Sequence, residues 1–427
     1  MKRSRLPGIA AAALALVAPA RADLSSYIAK PEAVYTWGQR SNRNDASGSV
    51  QELTMTSQTW QGNVWKHRIQ VFRPTGAPHP EMCLLYNTGG NGGVGEEALG
   101  RMVANATGCT VAILFNIPNQ PLYGKTEDGL IVYSWQKYVE TGDEKWPLQF
   151  PMVKAVIKAM DTVQAAAKKA GDPEITKFVV TGASKRGWTS WLTAATGDKR
   201  IVAIAPMVID MLNMPAQIPH QLAMYGKPSE MIDDYSSGGM LDALKTPKGK
   251  RIVEMVDPYS YRAKLSLPKM IVLGTNDPYW SQDALNLYWD DLTGPKWVLY
   301  TPNSGHALED WTRVLNTLGA FARSMAAGKP LPTPKWQWTG DSSKATISIS
   351  CDAPMKSARL FRAQSASTDF RKSTWMFSEI PVEGGKTSAT ATKPDTGFAA
   401  TFVEMTFEQE GKPYTISTQM RILGAAK

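Results

Sequence analysis

The segment Lys177-Phe-Val-Val-Thr-Gly-Ala-Ser184-Lys-Arg-Gly187-Trp188 places a serine between small residues, just after an apolar run and just before a helical pattern. A sharp strand-to-helix turn of this kind presents a nucleophilic hydroxyl at the end of a sheet. It leaves no room for side chains beside the serine, a demand that Gly182 and Ala183 meet. The spacing departs from Gly-x-Ser-x-Gly, because Arg186 stands at the second glycine position and Gly187 follows one residue later. Since Gly-Ala-Ser after a strand also serves as a plain turn, its partners must decide. Serine needs a base, and the chain has four histidines. His306 lies in Pro302-Asn-Ser-Gly-His306, between an apolar run at 297–300 and a helical pattern containing Trp311. His67 falls in a predicted strand, His79 in a proline-rich loop and His220 in an excursion between elements. The orienting acid is expected at Asp277 in Met270-Ile-Val-Leu-Gly-Thr-Asn-Asp277-Pro-Tyr, giving the chain order serine, acid, histidine. A turn residue before Pro278 is the competing reading of Asp277. As a set, Ser184, Asp277 and His306 predict acyl transfer from an ester or amide to water, with His306 carrying the proton and Asp277 orienting its ring.

A tetrahedral intermediate needs backbone donors for its oxyanion. One is expected from Lys185, the residue after the nucleophile, and one from Thr88 or Gly89 in the glycine-rich loop Asn87-Thr-Gly-Gly-Asn-Gly-Gly93. That loop lacks the Lys-Ser/Thr ending of a phosphate-binding loop. The Lys185 side chain adds a candidate positive charge beside the oxyanion, although solvated surface cations are the commoner case. Between 117 and 152 lies a long insertion carrying Tyr123, Tyr133, Trp135, Tyr138 and Trp146 with the acids Glu140, Asp143 and Glu144. Insertions at this position build substrate pockets, so Tyr123, Trp135, Glu140 and Glu144 are candidate substrate contacts, as is Trp188 four residues after the serine, with aromatic packing as the equal alternative. The acids are a candidate anchor for a cationic amine.

Three segments together, Thr181-Gly-Ala-Ser-Lys-Arg-Gly-Trp-Thr189, Asn119-Gln-Pro-Leu-Tyr-Gly124 and Tyr133-Ser-Trp-Gln-Lys-Tyr-Val-Glu-Thr-Gly-Asp143, resemble the PhoPQ-activated pathogenicity-related proteins. The resemblance spans most of the chain after its N-terminus, and it implies an α/β-hydrolase core, export and an association with bacterial virulence regulation. It does not itself imply catalysis. The Gly-x-Ser-Lys-x-Gly spacing is also similar to the elbow of glucuronoyl esterases, in which a basic residue after the serine assists the oxyanion.

Such a site must be held by a sheet. Residues 50–60 and 64–72, rich in Thr, Val and aromatics and separated by Gln61-Gly62-Asn63, predict an antiparallel hairpin. Beyond it, short apolar runs at 82–86, 110–115, 178–180, 201–205, 270–273 and 297–300 alternate with helical periodicity. That alternation predicts an α/β fold with a mostly parallel sheet. Met152, Val153, Val156, Ile157, Met160 and Val163 form one apolar helical face after Pro151, and Trp311, Val314, Leu315, Leu318 and Phe321 form another. Pro330, Pro332 and Pro334 mark a linker. Period-two runs at 344–350, 358–362, 399–407 and 414–422 then predict a β-sandwich-like module over 330–427, leaving 23–329 as the catalytic domain.

Lys2, Arg3 and Arg5 precede an apolar run at 9–17 and a small-residue site, Ala20-Arg-Ala22, the pattern of a secretory signal peptide over 1–22. Removing Lys2, Arg3, Arg5 and Arg21 takes the formal charge from +9 to +5, with both signs interspersed, which argues against nucleic acid as a partner. After the leader no stretch is long and apolar enough to span a bilayer. Three cysteines leave at least one unpaired. Cys83 and Cys109 could pair if their runs are adjacent strands, with buried free thiols the alternative. No metal-ligand set or dinucleotide fingerprint is present, so no cofactor is expected, and the partner is a small-molecule or peptide substrate. Two functions fit: an exported serine hydrolase, or an exported binding protein that keeps the hydrolase fold without catalysis. Processing predicts that the exported protein begins near Asp23, which N-terminal sequencing of exported material checks; a chain still beginning at Met1 would refute it.

Overall fold

A computed structural model describes residues 23–424; the expected leader at 1–22 lies outside the described residues. Nine strands build the N-terminal part: β1 (Thr36–Asp45), β2 (Gly48–Trp60), β3 (Asn63–Pro74), β4 (His79–Asn87), β5 (Cys109–Leu114), β6 (Lys177–Ala183), β7 (Ile201–Met207), β8 (Lys269–Gly274) and β9 (Lys296–Thr301). They lie in the order β1-β2-β3-β5-β4-β6-β7-β8-β9. The first three strands are antiparallel and the six from β5 to β9 run parallel. The hairpin between β2 and β3 closes through Gln61 (φ 45°) and Gly62 (φ 80°), the two positive angles that a type I′ turn requires. Strand β1 is not predictable from periodicity, because its sequence TWGQRSNRND is polar after Trp37 and Gly38. It is an exposed edge, and its charges suit that place.

The parallel strands are buried on both sides, as crossover helices demand. Alternate residues feed opposite apolar clusters: Leu85, Val180 and Ile271 meet the helices Gln149–Ala170 and Lys185–Ala195 on one face. Leu84, Val179, Met270 and Val272 point to the other face, with Ala104, Val314 and Phe321 of the helices Val94–Thr107 and Trp311–Ala327. The two apolar faces read from spacing therefore pack on opposite sides of the sheet.

The C-terminal strands are β10 (Lys335–Gly340), β11 (Lys344–Ser350), β12 (Ser357–Ser365), β13 (Met376–Ile380), β14 (Lys386–Thr392), β15 (Phe398–Gln409), β16 (Lys412–Ser417) and β17 (Arg421–Leu423). They form two sheets packed face to face, as expected of a sandwich-like module, but one of the two is continuous with the main sheet. Ser417 of β16 pairs with Val298 of β9, so β16, β15, β12 and β13 continue the main sheet; with β17 on β15 it has fourteen strands among the described residues. The sheet β10-β11-β14 covers this extension with Ile347, Ile349 and Ala389, opposite Leu360, Val403 and Met405. The run expected at 414–422 breaks into β16 and β17, which lie on different stretches of β15. Cys83 and Cys109 sit on neighbouring strands as buried free thiols.

Gly274 closes β8 where the loops after β8 and β9 cross. A Cβ there would stand 2.3 Å from the Gly305 carbonyl oxygen and 2.5 Å from that of Ser304, so backbone would have to move. Gly274→Ala is expected to lower unfolding free energy by about 1–3 kcal/mol in urea titration; an unchanged midpoint would contradict the crossing.

Candidate active site

Ser184 stands between β6 and the helix Lys185–Ala195 with φ 56° and ψ −127°, a backbone conformation that non-glycine residues seldom occupy. Its neighbours impose the turn: Ser184 N–H donates to the Met207 carbonyl (2.9 Å), and its own carbonyl accepts from Trp188 N–H (3.0 Å). A Cβ at Gly182 would lie 2.6 Å from Asn87 Nδ2 and 2.7 Å from the Arg186 carbonyl oxygen. One at Gly187 would lie 2.7 Å from Ile209 Cγ2 and 2.8 Å from the Met207 carbonyl oxygen. The displaced glycine is therefore where helix and β7 touch, and position 186 is free to carry a long side chain.

Asp277 and His306 follow β8 and β9, two strands along the same parallel edge. His306 Nδ1 lies 2.8 Å from Asp277 Oδ2, and Asp277 Oδ1 accepts from Tyr279 N–H (2.9 Å). With Nδ1–H donating to the carboxylate, Nε2 holds a lone pair, and Nε2 is buried with no hydrogen-bond partner among the described residues. The ring of Tyr279 lies over His306, centroids 4.3 Å apart. Sequence spacing assigns Tyr279 no role, though it is two residues after the acid.

Of the expected oxyanion donors, Thr88 is excluded. Thr88 N–H is already committed to the Leu114 carbonyl (2.9 Å), because the start of its loop continues the β4–β5 ladder, so its backbone donor is spent. The amides of Gly89 and Lys185 make no hydrogen bond among the described residues. The Lys185 side chain does not stand free either: Nζ is 2.9 Å from Asp128 Oδ2 and 3.2 Å from Glu127 Oε2. Burial opposes its charge, but the two carboxylates outweigh burial and raise its pKa. Arg186 clasps Glu127 through both terminal nitrogens (2.7 and 2.6 Å). Burial would raise the Glu127 carboxyl; the guanidinium prevails and holds it down at about 2. Tyr235 donates to Asp128 (2.9 Å). The signal for this network was an acidic pair at a helix start just after Thr126, overshadowed by acids further along.

Those further acids are not gathered. Glu140 is exposed on the helix Glu127–Thr141 and pairs with Lys137 (2.8 Å), whereas Glu144, beyond the end of that helix, pairs with Arg251 (2.6 Å). Trp135 and Trp188 are buried, their indole nitrogens bonded to Gln149 and to the Val256 carbonyl and their rings 6.0 Å apart. They pack the insertion onto the core. Tyr123 caps the β2–β3 turn by donating to the Gln61 carbonyl (2.7 Å) and stacks on Tyr133 (5.1 Å). Of the other histidines, His67 is buried between Ser57 and the Phe115 carbonyl, and burial pushes it down to about 4. His220, on the helix Met214–Tyr225, pairs with Asp283 (2.7 Å).

A parallel sheet of this strand order, with a serine elbow after its central strand and an acid and a histidine after the next but one and the one beyond, defines an α/β-hydrolase fold. The chain belongs to the family of PhoPQ-activated pathogenicity-related proteins, whose profile matches residues 24–371. It is similar to autocrine proliferation repressor protein A of Dictyostelium discoideum, 31% identical over 423 residues that cover 89% of this chain and 85% of that protein. In fold it is similar to acetyl xylan esterase 1 of a Thermoanaerobacterium species, at a TM-score of 0.50 and 14% identity, over 68% of this chain and 88% of that one.

Asp210, after β7, is a second buried carboxyl near the site and accepts from Tyr288 Oη (2.7 Å). Burial, and to a lesser extent the charge of Asp277, raise it from an ordinary 3.8 to about 7. Between those values the folded chain holds a proton that the unfolded chain has released, so stability falls as pH rises across the window, by roughly 1.4 kcal/mol per pH unit. Asp210→Asn should remove that slope. Thermal melts at pH 5 and pH 8 should show the variant gaining on the parent at the higher pH; parallel curves would rule the effect out.

Proposed function

We propose that this protein is a serine hydrolase acting on carboxylic esters. The observation that carries the proposal is the Asp277–His306 pair with an unpartnered Nε2, at the sheet edge where Ser184 is held in its turn. Ser184 Oγ attacks the carbonyl carbon as its proton passes to His306 Nε2, while Asp277 stabilises the imidazolium. The amides of Gly89 and Lys185 receive the oxyanion. Collapse expels the alcohol, which takes the proton from His306, and a water then repeats the sequence on the acyl-enzyme. The Ser184 hydroxyl and His306 Nε2 close into hydrogen-bond contact when substrate is bound.

Ester is favoured over peptide because the acids that would anchor a substrate amine are engaged elsewhere, Glu140 with Lys137 and Glu144 with Arg251. The fold likeness to an acetyl xylan esterase points the same way. Charge beside the nucleophile cancels, Lys185 and Arg186 against Glu127 and Asp128, which suits an uncharged acyl group. The leader pattern at 1–22 supports a reading in which the activity is exported, and any tie to virulence regulation rests on the family's name.

A fluorophosphonate probe should label Ser184, and Ser184→Ala should lower p-nitrophenyl acetate turnover by about 10^4-fold or more. Aminoacyl and dipeptidyl arylamides should be poor substrates. Folded protein that neither labels nor turns over esters would instead support the non-catalytic binding role.

A further inference from the structure

The segment between β12 and β13 reaches back over the sheet edge that carries the acid and the base. Asn276, beside Asp277, donates from Nδ2 to the carbonyls of Ser373 (2.8 Å) and Arg371 (3.2 Å). Asn303, three residues before His306, exchanges two hydrogen bonds with Trp375: Trp375 N–H donates to Oδ1 (2.7 Å), and Nδ2 donates to the Trp375 carbonyl (3.0 Å). Thr275 joins the two asparagines, its hydroxyl accepting from Asn303 N–H (2.9 Å) and donating to Asn276 Oδ1 (2.8 Å). The circuit therefore runs from Trp375 through Asn303, Thr275 and Asn276 back to Ser373. Asn303 has φ 53°, a conformation in which asparagine is tolerated, so its side chain is presented by the turn itself.

The bracing segment is itself immobilised. Trp375 and Phe370 are buried, and Trp375 packs on Phe402 of β15 with centroids 5.4 Å apart. Arg371 is bound by Asp369 (2.7 Å) and Glu230 (3.1 Å) and lies over the ring of Tyr225 at 4.1 Å. Each hydrogen bond of the circuit is of the ordinary strength that fixes a loop rather than a fold. What it fixes is relative position: one asparagine stands beside the acid, the other just before the base, and both are tied to the same short backbone.

We propose that Asn276 and Asn303 are positioning residues, through which the C-terminal module sets the placement of Asp277 and His306 for catalysis. The inference rests on the hydrolase reading above, and it assigns the module a task in the reaction. Preorganised loops avoid the loss that follows when a base sits an ångström out of place.

The test uses the full chain with Asn276→Ala, Asn303→Gly and Asn303→Asp, beside Thr368→Ala, which removes a hydrogen bond of the same segment to the Met224 carbonyl (2.6 Å), away from the acid and base. Asn303→Gly keeps the backbone conformation while deleting the side chain. Asn303→Asp keeps the acceptor for Trp375 N–H and exchanges the donor for a charged oxygen. For p-nitrophenyl acetate, Asn276→Ala and Asn303→Gly should lose roughly 10–100-fold in kcat with KM within about twofold, Asn303→Asp should lie between them and the parent, and Thr368→Ala should match the parent. In histidine-labelled protein, the hydrogen-bonded Nδ1 proton of His306 should broaden in the first two variants and stay sharp in Thr368→Ala. Folded variants with parent kcat and a sharp Nδ1 signal overturn the proposal, as does an equal fall in Thr368→Ala. Should the parent itself be inert, the hydrolase reading fails, and the Nδ1 signal alone decides the brace: broadening upholds it and persistence overturns it.

Discussion

The turn at Ser184 is the constraint to which the rest of the site is fitted. Holding a non-glycine residue at φ 56° and ψ −127° costs about 1–3 kcal/mol, and it persists only because the surroundings leave no alternative. The Met207 carbonyl takes the Ser184 amide, Gly182 lets Asn87 approach, and Gly187 lets the following helix lie against β7. The tight packing of two glycines around one serine explains why the second can be displaced by a residue. What the turn requires is the absence of a Cβ at the helix–strand contact, and here that contact falls at position 187.

Displacing the glycine has an electrostatic consequence. It puts Lys185 and Arg186 side by side in a nearly buried place, where two unpaired cations would be costly. The insertion answers with Glu127 and Asp128 from the start of its helix, and Tyr235 completes the set. The insertion is thus pinned to the elbow by ion pairs and to the core by Trp135 and Trp188. Its aromatics serve packing and its acids serve neutralisation, a division of labour that composition alone does not display.

The second half of the site depends on sheet continuity. Because β16 adds to β9, the C-terminal strands are an extension of the same sheet that carries Asp277 and His306, and the loop before β13 can fold back over that edge. A module joined only by a linker would hold no fixed position relative to the site. Here the hydrogen bonds from Asn276 and Asn303 reach a segment whose place is already set by Trp375 and Arg371.

Much of this was legible in the chain itself. Local spacing determined the hairpin, the six parallel strands, the helices Gln149–Ala170 and Trp311–Ala327, and the order of Ser184, Asp277 and His306, because periodicity and turn chemistry act between near neighbours. The polar edge strand β1 and the small-residue strand β14 escaped, since their pairing comes from neighbours and not from an apolar pattern. Sequence could name Thr88 and Gly89 together; only the fold showed that the Thr88 amide is spent on Leu114. The pairing of Lys185 with Asp128, the separation of Glu140 from Glu144, and the tie from Asn303 to Trp375 were decided by tertiary structure alone. Each joins side chains or backbone whose approach depends on how whole elements pack, and a spacing rule that reaches a few residues along one chain carries no information about that approach.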